Sequence, residues 1–110
     1  MHNIENKTLH LTLKKKWFDM ILAGEKKEEY REIKPYWGRI FSSHWCKAEK
    51  VKCNPPYKNY DFIEFRNGYQ KDSPKIKVKF LGIGIGEAKP EWSDNWQGKV
   101  FVIKLGELIP

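Results

Sequence analysis

No run in this chain approaches the roughly twenty consecutive apolar residues that a membrane-spanning helix needs, which argues against a helical membrane protein. The stretch from Met1 to Leu13 mixes His, Asn, Glu and Lys and has no apolar core of the kind a secretory signal requires. Cysteine is scarce. Cys46 and Cys53 make no disulfide framework and suit a compartment that keeps thiols reduced. These absences predict a cytoplasmic protein with no membrane partner. Acidic residues are also in deficit, 14 against 21 Lys and Arg, for a formal net charge of +7. An excess of that size favours polyanionic partners such as nucleic acid, nucleotides or an anionic membrane surface, without choosing among them. Repeats, low-complexity tracts and linkers are lacking, and 110 residues suffice for one core and not two, so residues 1–110 are read as a single domain.

Apolar residues at 40% and aromatics at 15% are enough to fold that domain. Leu9, Leu11 and Leu13 alternate with His10 and Thr12, the period-2 pattern of a half-buried strand. From Lys14 the spacing changes: Trp17 and Ile21, with Phe18 and Leu22 one step off, predict a short amphipathic helix over 14–23 that ends at Gly24. Residues 27–33 read as a strand. Pro35 opens a second helix carrying Tyr36, Ile40 and Phe41, with His44 and Trp45 continuing its stripe. Asn54-Pro55-Pro56 breaks the chain. Tyr60 to Phe65 reads as a strand, and Asn67-Gly68 predicts a tight hairpin. A long strand over 75–88, a loop over 90–98 with Trp92 and Trp96, and a last strand over 100–105 complete the chain. About five or six mostly antiparallel strands with two or three short helices predict an α+β domain whose sheet curls into a small barrel.

Several motifs fail their chemical requirements. Gly82, Gly84 and Gly86 lack the spacing of a dinucleotide fingerprint, and no phosphate-loop Gly-Lys-Ser/Thr follows them. They fall on one strand face and predict a bend or bulge. His44, Cys46 and Cys53 supply three ligands without the fourth that a structural zinc site wants, so no metal and no other cofactor is expected. A Cys–His nucleophile pair lacks any visible orienting partner. Aromatic rings interleave with basic residues at Lys16-Trp17, at Tyr36-Trp37 with Arg39, at Phe65-Arg66 and at Tyr69 with Lys71, a composition compatible with base stacking beside phosphate contacts. Trp92 and Trp96, in a loop, are candidates for exposed stacking platforms.

The densest charge lies in Gly24-Glu25-Lys26-Lys27-Glu28-Glu29-Tyr30-Arg31. On a strand Glu29 and Arg31 share a face with Ile33, while Tyr30 points the other way. If Ile33 turns that face inward, a carboxylate and a guanidinium become partly buried, and such mixed-charge sets tend to mark functional sites. The alternative is a solvated, charged edge strand.

The strand Leu9-His10-Leu11-Thr12-Leu13, the helix with Trp17, Phe18 and Ile21, and then the octapeptide together resemble the ASCH domain family of the PUA-like superfamily, in particular small stand-alone bacterial or phage-type members. Its G-x-K-x-x-E-x-R signature is matched by Gly24, Lys26, Glu29 and Arg31. The likeness is strongest over residues 8–39 and looser to the last strand. The resemblance implies a PUA-like barrel and an RNA- or nucleotide-binding role, with Lys26, Glu29 and Arg31 lining a cleft. Gly24, Lys14, Lys16, Trp37, Arg39 and Arg66 are the further candidates for binding, and the domain is expected to act as a monomer. Some small relatives hydrolyse N4-acetylcytidine with a lysine, a threonine three residues later and a distant glutamate. Lys26 fits that lysine, but Glu29 stands where the threonine nucleophile belongs. As an enzyme, an amidohydrolase or ribonuclease, the chain would have to use Lys26 and Glu29. A nearby carboxylate favours a charged lysine, so binding is expected over hydrolysis. A cleft for a peptide acid is a third reading.

Overall fold

The Leu9, Leu11, Leu13 alternation becomes strand β1 (Thr8–Leu13), buried at those three positions in a computed structural model that describes residues 7–42, 57–94 and 96–110. Helix α1 (Lys15–Leu22) buries Trp17, Phe18 and Ile21 and stops where expected. The amides of Ala23 and Gly24 return to the carbonyls of Asp19 and Ile21, and Gly24 takes φ +79°, a left-handed conformation that glycine adopts without steric cost. Strand β2 (Glu28–Arg31) follows, then α2 (Pro35–Phe41) with proline in its first turn, where the missing N–H costs nothing. Strands β3 (Phe62–Asn67), β4 (Lys75–Glu87) and β5 (Lys99–Ile109) complete the sheet, with a 3-10 turn at Pro90–Trp92 before β5.

The sheet order is β1-β3-β4-β5-β2, with β1 and β3 parallel and every other pair antiparallel. The expected small α+β fold with a mostly antiparallel, barrel-like sheet is borne out: the five strands curl into a half-barrel beside two helices. Its core lies on one face. Leu9, Leu11, Ile63, Phe65, Val78, Phe101, Ile103 and Leu105 meet Trp17, Phe18 and Ile21 of α1 and Phe41 of α2. Phe41 and Phe101 are fully buried and meet edge to face, 5.2 Å between ring centres. Burying each ring stabilises the fold by about 1.5–3 kcal/mol. Tyr30, Val100 and Val102 lie on the opposite face of the sheet and are covered by Ala88, Trp92 and Trp96.

The glycine run behaves as a bend. Register shifts occur between Val78 and Phe80 and between Phe80 and Gly82, where the alternation of β4 is reset. Gly106 is where β5 comes closest to β4: a Cβ there would lie 2.8 Å from the Lys79 Cβ, so only glycine fits without a shift.

Some boundaries differ from expectation. The strand predicted over 27–33 covers only Glu28–Arg31, because residues past Arg31 have no partner on β5. Asn67-Gly68 does not form a two-residue turn. The Asn67 amide reaches the Pro74 carbonyl, closing a wider loop between β3 and β4 in which Gly68 takes φ +96°. β5 runs on to Ile109 by pairing with the first half of β4. His44, Trp45, Cys46 and Cys53 lie outside the described residues. Among those described, no group of three His, Cys, Asp or Glu side chains forms a metal-sized cluster, and no helix is long and apolar enough to cross a membrane.

Candidate functional site

The sheet register decides where the charges of the octapeptide go. Glu29 pairs with Ile103 and Arg31 with Phe101, so both side chains take the face of the core, while Glu28 and Tyr30, opposite Lys104 and Val102, take the other. The inward turn of Glu29 and Arg31 is as expected from alternation, but for a different reason. Ile33 lies past the strand and is exposed; pairing with β5 turns the face inward.

Glu29 is 3% exposed, a cost that is tolerable only because both of its oxygens are paired. Its Oε1 lies 3.1 Å from the Lys26 Nζ, and its Oε2 accepts from the Arg31 Nη1. Lys26 has no exposed side-chain surface. Its ammonium also donates to the Glu28 carbonyl and, at 3.1 Å, to the Trp92 carbonyl, so its three protons have three acceptors. It also sits 4.7 Å from the centre of the Tyr30 ring and 5.3 Å from that of Trp17. Burial pushes the Lys26 pKa below its ordinary value, against the charge and hydrogen bond of Glu29, which favour the ammonium. The expectation that the nearby carboxylate would dominate is corrected: desolvation outweighs it.

Arg31 is held from several sides. Nη1 donates to Glu29 and, at 3.0 Å, to the Tyr30 carbonyl; Nη2 donates to the Thr12 carbonyl at 3.0 Å; the guanidinium lies 5.1 Å from the centre of the Trp37 ring. Glu29 and Arg31 form part of a cleft of about 560 Å³ at the ends of β1 and β3. Thr12, Leu13, Lys14 and Lys15 form one side with Trp17. Asn67, Gly68 and the 88% exposed Tyr69 form another, and Asp94 and Trp96 complete the rim. Lys14 reaches Asp94 across this rim at 3.2 Å, an exposed ion pair worth no more than about 1 kcal/mol.

Of the residues expected to bind, Lys14, Glu29 and Arg31 line this cleft. Lys26 is enclosed beneath it, a correction to its expected place on the cleft surface, and Trp37 backs Arg31. Gly24 makes the turn into the motif. Lys16 is exposed and lies over the outer side of Trp17, Arg39 is exposed on α2, and Arg66 lines a separate cavity. Both loop tryptophans pack against the Tyr30 cluster, but only Trp96 also lines the cleft; the Trp92 carbonyl accepts from Lys26. Tyr69, one of the rings set among basic residues in the sequence, lines the cleft, whereas Thr12 and Asn67 carry no sequence signal for a site, since only the parallel pairing of β1 with β3 brings them together.

The opposite face of β2 carries a second buried network. The Tyr30 hydroxyl donates to Glu28 Oε1 at 2.7 Å and accepts from the Lys89 amide at 3.2 Å, and the Lys104 ammonium donates to Glu28 Oε2. Burial alone would raise the Glu28 pKa, but the bonds from Lys104 and Tyr30 and the charges of Lys104 and Lys89 hold it below the ordinary carboxylate value. Burial raises the Tyr30 pKa, helped by the bond to Glu28 and opposed by the Lys89 amide; burial likewise raises Tyr57 and Tyr60. Unfolded tyrosines ionise near pH ~10. Above that pH the unfolded chain holds fewer protons than the folded one, so stability falls as pH rises. Lys26, shifted down, contributes the opposite slope below its unfolded value. Urea midpoints from pH 8 to 11 are expected to fall above about pH 10, and less steeply in Tyr30→Phe. An equal slope in that variant would rule out Tyr30 as a cause.

No protein-family model, curated protein or solved structure matches this chain.

Proposed function

We propose that the chain is an RNA- or nucleotide-binding domain of the ASCH type, and that its ligand lies in the cleft over Glu29 and Arg31. The observation that carries this reading is the state of Arg31. A guanidinium has five N–H donors, and the three hydrogen bonds to Glu29, Tyr30 and Thr12 hold it in one orientation and leave two donors on a side chain 14% exposed. A fixed guanidinium with free donors suits phosphate or a base edge. Trp96 and Tyr69 stand at the rim where a base would stack, and Asn67 adds an amide that both donates and accepts. The net charge of +7 supplies attraction at longer range.

Binding is favoured over hydrolysis by the way the motif spends its polar atoms. The lowered pKa of Lys26 is the one feature that favours an amidohydrolase, because a neutral lysine can act as a base. Its Nζ is enclosed, however, with no path to a substrate, and Glu29 offers no hydroxyl to activate. Incubation with N4-acetylcytidine is therefore expected to give no Lys26-dependent release of acetate.

The test is fluorescence anisotropy with short labelled RNAs and isothermal titration with mononucleotides. Losing a charge-assisted contact costs about 1.5–3 kcal/mol, so Arg31→Gln should weaken binding roughly 10- to 100-fold. Arg31→Lys should not restore it, since an ammonium cannot reproduce the held fork. Absence of saturable, salt-sensitive binding by the wild-type protein would sink the proposal.

A further inference from the structure

The outer face of β1, β3 and β4 carries a row of cations that form no ion pair among the described residues, with Glu64 opposite Lys77 the one carboxylate in their midst. Ile76, Val78 and Phe80 pack into the core, so Lys75, Lys77 and Lys79 project from the opposite side of β4. Arg66 pairs with Lys75 in the register and shares that side. Like Lys58 and Lys99 elsewhere on the surface, Arg66, Lys75, Lys77 and Lys79 form no ion pair among the described residues; what sets them apart is their shared face, on which the Lys77 ammonium lies 5.2 Å from the centre of the Phe62 ring. The Arg66 Nε–H is buried without a hydrogen-bond partner, so no acceptor among the described residues accounts for its placement. A cavity of about 390 Å³ opens here between His10, Thr12, Arg66 and Lys75. Its one acidic lining residue, Glu64, is already engaged by His10 at 3.1 Å.

This cavity adjoins the cleft. Thr12 lines both, and the two lie in sequence along the paired strands β1 and β3, the cavity at His10–Thr12 and Glu64–Arg66, the cleft at Thr12–Lys15 and Asn67–Tyr69. From Arg66 and Lys75, beside the cleft, the row continues through Lys77 opposite Glu64 to Lys79 opposite Phe62. Alternate residues of a strand are about 6.7 Å apart, a spacing comparable with that of neighbouring phosphates along an extended single strand.

We infer that this row is a backbone track, and that the ligand of the cleft is a nucleotide within a single-stranded nucleic acid whose adjoining phosphates lie over Arg66, Lys75 and Lys77. The inference rests on the nucleotide reading of the cleft and adds the polymer and its direction of exit. It predicts a short footprint: the track spans about 13 Å from Lys75 to Lys79, so affinity should rise from one nucleotide to about four and then level off.

The experiment compares isothermal titration with the four mononucleotides against anisotropy of fluorescein-labelled 4-mers and 8-mers, as RNA and as DNA. It is run on wild type, a Lys75→Gln/Lys77→Gln variant and a charge-matched Lys58→Gln/Lys99→Gln control. Each phosphate contact contributes about 0.7 to the salt exponent for a single strand. Losing two should therefore lower the slope by about 1.4 and weaken 4-mer binding about tenfold at 0.15 M salt, with mononucleotide affinity and the control unchanged. If mononucleotides bind and 4-mers bind no tighter, the track is refuted and the cleft reading stands. The track is equally refuted if the Lys75/Lys77 variant binds 4-mers as well as the control does. If neither monomer nor oligomer binds, the cleft reading fails and the track fails with it. Equal affinities for RNA and DNA 4-mers support a backbone track; a preference for RNA assigns a contact to the 2′-hydroxyl within the cleft.

Discussion

Replacing Glu29 with alanine is expected to destabilise the domain by about 3–5 kcal/mol at neutral pH, the usual cost of removing one partner from a buried charge set. Small domains are stable by roughly 5–15 kcal/mol in all, so this is a large fraction of what holds the fold. The substitution leaves the Lys26 ammonium with no counter-ion, and Arg31 near enough to repel it. Of the influences on Lys26, only those from Glu29 and Glu28 hold its pKa up. Without Glu29 the lysine is driven further toward its neutral form. In the unfolded chain it still titrates near ~10.4, so between the folded and unfolded pKa the unfolded state binds more protons and stability rises with pH. Urea midpoints should accordingly show a deficit at pH 7 that shrinks as the pH approaches 10. Glu29→Gln should behave alike with a smaller deficit, since its amide oxygen can still accept from Lys26. A deficit independent of pH would mean that lost packing, and not stranded charge, sets the cost.

The second large effect concerns Lys26 itself. Lys26→Met keeps the apolar stem between Trp17 and Tyr30 and leaves the Glu29–Arg31 pair in place. The Glu28 and Trp92 carbonyls lose a donor, at about 1–3 kcal/mol for each buried acceptor left unsatisfied, so a loss of about 2–6 kcal/mol is expected, to which the unpaired Glu29 Oε1 adds. The effect should be uneven across the molecule. The hydrogen bond from Lys26 to Trp92 ties the 3-10 turn to the motif, and Trp96 at the cleft rim follows that turn. Amide hydrogen exchange should therefore accelerate at Trp92 and Ser93 before it does in β4 or β5. A Lys26→Met protein more stable than wild type would show that the desolvation of the ammonium outweighs its bonds, as happens in some buried ion pairs. It would also remove the reason for treating Lys26 as the support beneath Glu29.

Local pattern was a sufficient guide to this chain wherever the cause was local. Leu9, Leu11 and Leu13 announced β1, Trp17, Phe18 and Ile21 announced α1, and Gly24 took the left-handed turn its position suggested. The inward face of Glu29 and Arg31 was legible too, although Ile33 was a poor witness for it. What escaped notice depends on distant pairing. The parallel contact of β1 with β3 assembles the cleft from Thr12 and Asn67, and the acceptor that Lys26 finds in Trp92 lies 66 residues away in sequence. Alternation places Tyr30 on the face away from the site, and nothing in its neighbours discloses the Glu28–Tyr30–Lys104 network that the 76-residue reach from Glu28 to Lys104 creates. The Asn67-Gly68 pair suggested the correct hairpin with too tight a turn, because the residues after it form a wider loop closed by Pro74.

Whether a nucleotide occupies the cleft over Glu29 and Arg31 can be read from a nitrogen–proton NMR titration of the labelled protein with CMP and with AMP. Saturable shifts are expected at the Arg31 Nε–H, the Trp96 indole N–H and the Asn67 and Gly68 amides, with little change at β5 residues buried in the core such as Ile103. Shifts confined to surfaces away from these groups, or none at millimolar nucleotide, would contradict nucleotide binding in the cleft.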